Sequence, residues 1–333
     1  MAHEITQTDG LVLTGRRAWH GLGVIVENAP SALNALTIAD LDWPVKQWPL
    51  IARNGDEERP VSTHVLNVRG DNGSPLGVVG VGYQPVQNNE LASFCDALGA
   101  TGEVKIESAG SIRGGKRVWF LLRGESVWVG SSDEVKPYLL VVNAHDGSLA
   151  VTCQPTTIRV VCSNTLHASL KQGENAATTV RFRHEGSIAD KLEDARRALG
   201  LFAEARDSFA KQSQALNGRE MAREDLQRFW LEVYAATVDE IPKNATTTGD
   251  RRRVDHAREI LSKWAMNFDL DRSRTGHPAA AWTALNAVTQ WFDHQRPVRA
   301  TNEVARQENR LYGRLWGTAA AAKAKAMQMV IAR

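Results

Sequence analysis

The sequence predicts an α+β fold: an N-terminal antiparallel sheet with crossing helices, followed by an all-helical C-terminal region. Three observations predict it. From Trp43 to Arg183 the apolar residues recur in short strand-like runs separated by Gly, Pro, Asn and Asp. From Ser187 onward their spacing becomes helical. Strands and helices are therefore segregated along the chain rather than alternating, which is the pattern of an α+β architecture.

Residues 1–30 read as irregular, with short apolar pieces at Leu11–Leu13 and Val24–Val26 around the polar-aromatic turn Arg17–Gly23. Ser31 is a side-chain N-cap for a short helix to about Leu41. Trp43–Ala52 contains Pro44 and Pro49, which cannot donate to a ladder, so it reads as an edge or bent strand. Val61–Arg69 and Leu76–Tyr83 flank the turn Gly70–Pro75 as a hairpin. A helix starts at Asn88 or Asn89, carries Leu91, Phe94, Cys95 and Leu98 on one face, and ends at Gly99. Val104–Glu107 and Arg117–Leu122 form a second hairpin around Gly114–Gly115. Tyr138–Ala144, Leu149–Thr152 and Ile158–Val161 are further strands, with Asp146-Gly147 a strong hairpin turn signal. A helix starts after Ser163, and Val180–Arg183 is one more strand.

Ile188, Leu192, Ala195, Leu199, Phe202, Phe209 and Leu216 then form a heptad-like stripe, opened by a capping box of Ser187 and Asp190. Later helices are expected over Arg219–Ala236, Arg252–Phe268, Pro278–Asp293 and Asn302–Ile331, with Asn244–Asp250 a polar loop. Two domains are expected: a mixed region 1–185 that binds DNA, and a helical region 186–333 for assembly or partner binding.

A chain of 333 residues with 43% hydrophobic content can bury a sizeable core. Its net charge of +2 announces no polyanion partner, but the distribution is uneven. Residues 1–160 hold 13 Lys+Arg against 17 Asp+Glu, and residues 161–333 hold 27 against 21. From Arg296 on there are eight basic and two acidic residues, which suits either contact with nucleic acid or a solvated helix face. The three cysteines are an odd number in a long chain, which fits a reducing cytoplasm rather than a disulfide framework. The start, MAHEITQTDG, lacks the apolar core of a signal peptide, and no apolar run is long enough to predict a membrane span.

Signals for chemistry are weak. The nine histidines include no HxH or HExxH pair, and the cysteines include no CxxC, so no metal site is expected. Cys153 and Cys162 read as buried structural thiols. Cys162–Ser163–Asn164 opens a helix, where a nucleophile could sit near His145, His167 and His184. Ser163 as an N-cap accounts for the same residues without chemistry, and no GxSxG elbow is present. Gly110–Lys116 has glycines and a lysine without phosphate-loop spacing, and GLG at Gly21–Gly23 is too short for a dinucleotide fingerprint. No cofactor and no catalytic residue is assigned. Of the ten tryptophans, Trp43, Trp48, Trp230, Trp264, Trp282 and Trp291 sit in apolar patterns, as core or subunit-interface anchors do.

The most informative stretch is Gly82–Arg123, which reads as the end of a strand, a short amphipathic helix and then a basic hairpin. In the window 105–123, Lys105, Arg113, Lys116, Arg117 and Arg123 outnumber the single acid Glu107. Alternation places Lys116, Val118, Phe120 and Leu122 on a core-facing side, and Arg117, Trp119, Leu121 and Arg123 on the other. Cations interleaved with an aromatic ring suit a nucleic-acid backbone with exposed bases. A solvent-facing strand whose charges keep an edge from aggregating would carry the same residues. The candidate nucleic-acid-binding set is Lys105, Arg113, Lys116, Arg117, Trp119 and Arg123.

Six separated motifs add a resemblance. AWHGLG at Ala18–Gly23, LDW at Leu41–Trp43, GYQPVQNNE at Gly82–Glu90, VCSNTL at Val161–Leu166, FRHEGS at Phe182–Ser187 and AWTALNAVTQWFDH at Ala281–His294 occur in this order. Together they resemble the phage/plasmid-like family described only as domain of unknown function 932, over nearly the full chain. That resemblance implies a mobile-element or prophage protein in the bacterial cytoplasm, and implies no reaction. The order hairpin, helix, basic hairpin, strands, helix is also similar to the core of the single-strand annealing recombinases of the Rad-fifty-two superfamily. This second resemblance implies homo-oligomeric rings or arcs that hold single-stranded DNA in a basic groove without ATP. It places Arg113, Lys116, Arg117 and Arg123 near that groove by topology. A phage exonuclease or single-strand-binding protein would be the natural partner. Two other functions remain open: a non-catalytic interaction module (a virion component or anti-defence factor) working through its Trp-rich helices, and a hydrolase using His145, Cys162 or His184.

Overall fold

Short period-two runs build two sheets. The computed structural model describes residues 10–15, 24–159, 165–166, 180–182, 188–301, 306, 309–310, 313 and 318–333. The strands are β1 (Leu11–Thr14), β2 (Val24–Val26), β3 (Val45–Asn54), β4 (Glu57–Arg69), β5 (Pro75–Gly80) and β6 (Lys105–Ile112). They continue with β7 (Arg117–Arg123), β8 (Val127–Val129), β9 (Asp133–Ala144), β10 (Val151–Arg159), β11 (Thr165–Leu166) and β12 (Val180–Phe182). The larger sheet has the order β11-β10-β9-β7-β6-β1-β2, with β8 pairing β9 and β12 pairing β10. The smaller sheet has the order β3-β4-β5. Its first strand is an edge with a register shift between Pro49 and Leu50, as the two prolines require.

The architecture is α+β, with two differences from the sequence reading. There are two sheets rather than one, and the edge pair β1–β2 is parallel. β1 and β2 fall in the stretch read as irregular because runs of three or four residues are too short to show alternation. Val151–Thr152 from one expected run and Ile158–Arg159 from the next belong to a single strand, β10, that passes through Pro155.

The helices are α1 (Ala32–Ile38), α2 (Asn88–Gly99), α3 (Ile188–Gly218), α4 (Arg223–Thr237), α5 (Thr248–Thr275), α6 (Ala281–Gln290) and α7 (Thr318–Ile331). A π-helical turn, Trp291–Gln295, continues α6. Ser31 caps α1 by accepting from the Asn34 amide, and Asp96 of α2 accepts from the Ala32 and Leu33 amides at 2.5 and 3.2 Å. Helix α5 begins inside the expected polar loop because Thr247 and Asp250 form a capping box. It ends at Gly276, whose φ of 69° is the left-handed conformation glycine favours. The helix expected after Ser163 and the capping box at Ser187 lie outside the described residues.

Two apolar cores result. In the first, Leu36 of α1 and Leu91, Phe94, Cys95 and Leu98 of α2 cover Val118, Phe120, Leu122, Leu139 and Val141 on one face of the larger sheet. In the second, Phe229, Trp230, Trp264, Phe268, Trp282, Leu285 and Trp291 pack with Val127, Val129 and Val135 from the strands. Helix α3 belongs to both. Ala198, Leu199 and Phe202 pack in the first core, and Phe209 and Leu216 in the second. Phe202 lies so close over Gly124 that a Cβ there would be 2.7 Å from its ring. Packing therefore does not divide at residue 185.

Candidate nucleic-acid interface

The basic hairpin is β6–β7, and it lies in the middle of the larger sheet, between β1 and β9. Its alternation is as the sequence indicates: Val118, Phe120 and Leu122 enter the first core. The other face is not an open groove. Arg117 is only 8% exposed. Trp119 is half-buried and packs with Leu121, Tyr138 and Leu140 in a small cluster of its own. The register explains this, since β9 sets Ala144, Val142 and Leu140 beside Arg117, Trp119 and Leu121. Those neighbours are apolar and cannot be read from β7 alone. Edge protection is excluded by the same topology, because β7 is paired on both sides.

The accessible cations gather at the two ends of the hairpin. The rise of an extended chain puts Arg117 and Arg123 about 20 Å apart. At the open end, Lys105 is exposed and pairs across the ladder with Arg123. Arg123 Nη1 lies 3.4 Å from Glu107, which also accepts from the Tyr138 hydroxyl at 3.2 Å. Burial, reinforced by the Glu107 charge, pushes the Tyr138 phenol well up. Lys105 and Arg123 share a cleft of about 410 Å³ with Glu103, Glu125 and Arg206. Arg206 is balanced there by Glu125 at 3.7 Å and Asp207 at 2.9 Å. At the turn end, Arg113 is exposed with a φ of 57°, and Lys116 is half-buried. Arg117 reaches the same end, donating to Ser148 Oγ at 3.3 Å. The six candidate residues thus form two groups and a buried middle, not one patch.

Beside the turn end lies a buried polar seam that the sequence reading missed. Gln87 bonds both backbone groups of Val45, accepting at 2.8 Å and donating at 3.1 Å, as a neighbouring strand would. Asn88 donates to the Leu41 carbonyl at 2.8 Å, which turns its Oδ1 toward His145 Nε2 at 2.9 Å. His145 therefore carries its proton on Nε2, and its Nδ1 faces the Asn143 amide at 3.4 Å. Asn67 donates to the His145 carbonyl at 2.7 Å, and the Tyr83 hydroxyl to the Ala144 carbonyl at 3.2 Å. Trp43 meets the His145 ring edge-on at 5.6 Å, and Arg69 lies over the same indole at 4.6 Å. Gly115 is required here, since a Cβ would approach Trp43 to 2.8 Å. Arg69 also grips Asp71 with bonds of 3.1 and 2.7 Å and holds that carboxyl below the usual range.

The motifs LDW and GYQPVQNNE thus staple the smaller sheet, α2 and the larger sheet together. The signal available in the sequence was the density of amides in Gln84–Asn89. His145, offered above as a possible hydrolase residue, is fully buried with both ring nitrogens engaged. Cys95 and Cys153 are buried, and burial pushes both thiols well up, so neither is a ready nucleophile. Cys162, His167 and His184 lie outside the described residues.

The helical region has its own buried polar pairs. Lys323 and Asp293 meet at 2.7 Å with both side chains fully buried. Asp293 sits in the π-helical turn at the end of AWTALNAVTQWFDH. Trp282 donates from Nε1 to the buried Asp133 carboxylate at 2.8 Å, tying α6 to β9. Five of the six tryptophans expected as anchors are buried; Trp48 is 48% exposed.

The fold and site define an α+β protein whose central basic hairpin is embedded in a sheet braced by helices. Among the described residues, no His, Cys, Asp and Glu group is placed to hold a metal ion, and no helix is long and apolar enough to cross a membrane. The chain belongs to the family described as domain of unknown function (DUF932), whose family model matches residues 75–316. No curated protein and no solved structure matches it.

Proposed function

We propose that the chain is a phage-type protein that binds and anneals single-stranded DNA in homologous recombination, without ATP, as a homo-oligomer in the bacterial cytoplasm. One observation carries the reading. The centrally placed β6–β7 hairpin keeps cations at both ends at least partly exposed, Lys105 and Arg123 at one and Arg113 and Lys116 at the other. A single-stranded backbone laid along the hairpin would meet both groups, and phosphate contacts of this kind are electrostatic. A phage exonuclease or single-strand-binding protein is the partner class this activity calls for.

The test is fluorescence anisotropy with single- and double-stranded oligonucleotides from low to high salt, together with light scattering for mass. Affinity should fall steeply with salt. In Lys105→Glu/Arg113→Glu the log–log salt slope should drop by about 0.7 per lost phosphate contact. Equal binding by this variant would remove the hairpin from the interface, and no affinity at low salt would remove DNA altogether.

A second reading, a protein-interaction module, is favoured by a different observation. Beyond the register shift at Pro49/Leu50, residues 51–60 of the β3–β4 hairpin are all exposed, and Ile51 is 60% exposed. A ribbon with neither face packed is suited to gripping another chain. Absence of DNA binding, with an oligomer that dissociates when Ile51→Lys is introduced, would favour this reading.

A further inference from the structure

A second basic site lies far along the chain from the hairpin. After the π-helical turn, Phe292, Arg296, Arg299, Asn309, Arg310 and Thr318 line a cleft of about 320 Å³. Three guanidinium groups thus share a concave space with an amide and a hydroxyl, and no described carboxylate lines it.

Arg296 is the informative member. It is half-buried, its guanidinium lies 5.6 Å from the Phe292 ring, and its Nη1 donates to Thr318 Oγ1 at 3.1 Å. It makes no ion pair with a described residue. Arg299 is exposed and likewise has no described acid partner; its carbonyl accepts from Asn309 at 3.1 Å. Arg310 anchors the opposite wall through the Asp293 carbonyl at 3.4 Å. Asp293, the described acid nearest to Arg296 in sequence, is already taken by Lys323 at 2.7 Å. Arginine stays protonated at physiological pH, so the charge in this cleft cannot be relieved by losing protons. Burial without a counter-charge is costly, and an anion entering the cleft removes that cost. Planar, multi-donor guanidinium groups match the oxygens of a phosphate better than any other common anion except a carboxylate.

We propose that this cleft seats a phosphate group, either of a nucleic-acid backbone or of a free phosphate or nucleotide, with Arg296 and Arg299 as its principal ligands. The site does not depend on the hairpin reading. It is tested by calorimetric titration of the full chain with inorganic phosphate, with dAMP and with a 20-nucleotide single strand at low salt. The variants are Arg299→Glu, an exposed change that leaves folding intact, and Arg296→Lys, which keeps the charge and loses the fork. Wild type should bind at least one probe, and Arg299→Glu should weaken it by about tenfold or more, the value of one charge-assisted hydrogen bond. Arg296→Lys should lie between the two. Loss for phosphate and dAMP identifies a free-phosphate seat; loss for the oligonucleotide alone identifies a backbone contact. No binding of any probe by wild type, or equal binding by Arg299→Glu for all three, overturns the proposal. Measuring Lys105→Glu/Arg113→Glu in parallel separates the two sites, since either can lose binding while the other keeps it.

Discussion

The hairpin β6–β7 and the segment from Arg296 onward are both rich in cations, and they dispose of them differently. In the hairpin the two arginines of β7 are partly absorbed. Arg117 is buried against Ser148, and Arg123 is half-buried beside Glu107. Lys105 and Arg113 stay exposed. In the C-terminal segment one charge is driven fully inside, Lys323 onto Asp293, and Arg333 is taken by Glu232 at the surface. Arg296 and Arg299 are left facing a cleft that no described carboxylate lines. The lesson is that a count of lysines and arginines locates neither region's working surface. What matters is which cations the topology has already matched with a carboxylate or covered with apolar neighbours.

The comparison can be broken first at its most buried point. Lys323→Met leaves the buried Asp293 carboxylate without its ammonium partner, and should cost about 3–5 kcal/mol in chemical denaturation. Lys323→Met combined with Asp293→Leu should recover much of that loss. If the single variant is as stable as wild type, the pair is not the internal sink assigned to it. The hairpin supplies the next test. Arg117→Glu places an acid at a buried position and should cost about 3 kcal/mol, whereas Arg123→Glu should cost well under that. Equal costs would mean that the two arginines share an environment, contrary to their exposure.

Much of the fold was legible in the sequence because local chemistry and tertiary structure agree there. Ser31 caps α1, Asn88–Gly99 is a helix, and Gly147, at a φ of 75°, makes the turn that Asp146-Gly147 signals. The face assignment of β7 was correct for the same reason, since alternation is a property of one strand. Its exposure was not legible, because that depends on Leu140 and Val142, some twenty residues away in sequence and adjacent only through register. The polar seam was hidden in a similar way. His145, Asn88 and Asn67 come from three separate segments, and nothing in any one of them announces the other two. Trp48 shows the converse error, an apolar pattern on a strand whose sheet has no partner over that face among the described residues.

The smallest expected effect is a pH dependence at Arg69, the cation stacked on Trp43. Its hydrogen bonds hold the Asp71 pKa below its ordinary 3.8. A carboxyl depressed on folding stabilises the native state above its unfolded pKa and loses that contribution as pH falls through the lower folded value. Wild type should therefore lose stability on acidification below about pH 4 more steeply than Asp71→Asn, as followed by thermal melts. Parallel curves would show that this pair contributes nothing measurable.

Helix α3 carries a consequence for how the molecule comes apart. Its 31 residues make a rod about 46 Å long, seated at one end under the sheet and at the other among the tryptophans. Helices lengthen and melt cooperatively, so the rod transmits the loss of either seat to the other. Heating should therefore give one transition rather than two, and the amides of Ala198–Leu216 should exchange only when the whole chain opens. A fragment ending at residue 185 would lack Phe202 over Gly124 and would leave uncovered the part of the core that Ala198, Leu199 and Phe202 pack against. The unit that folds is thus the chain on both sides of that rod.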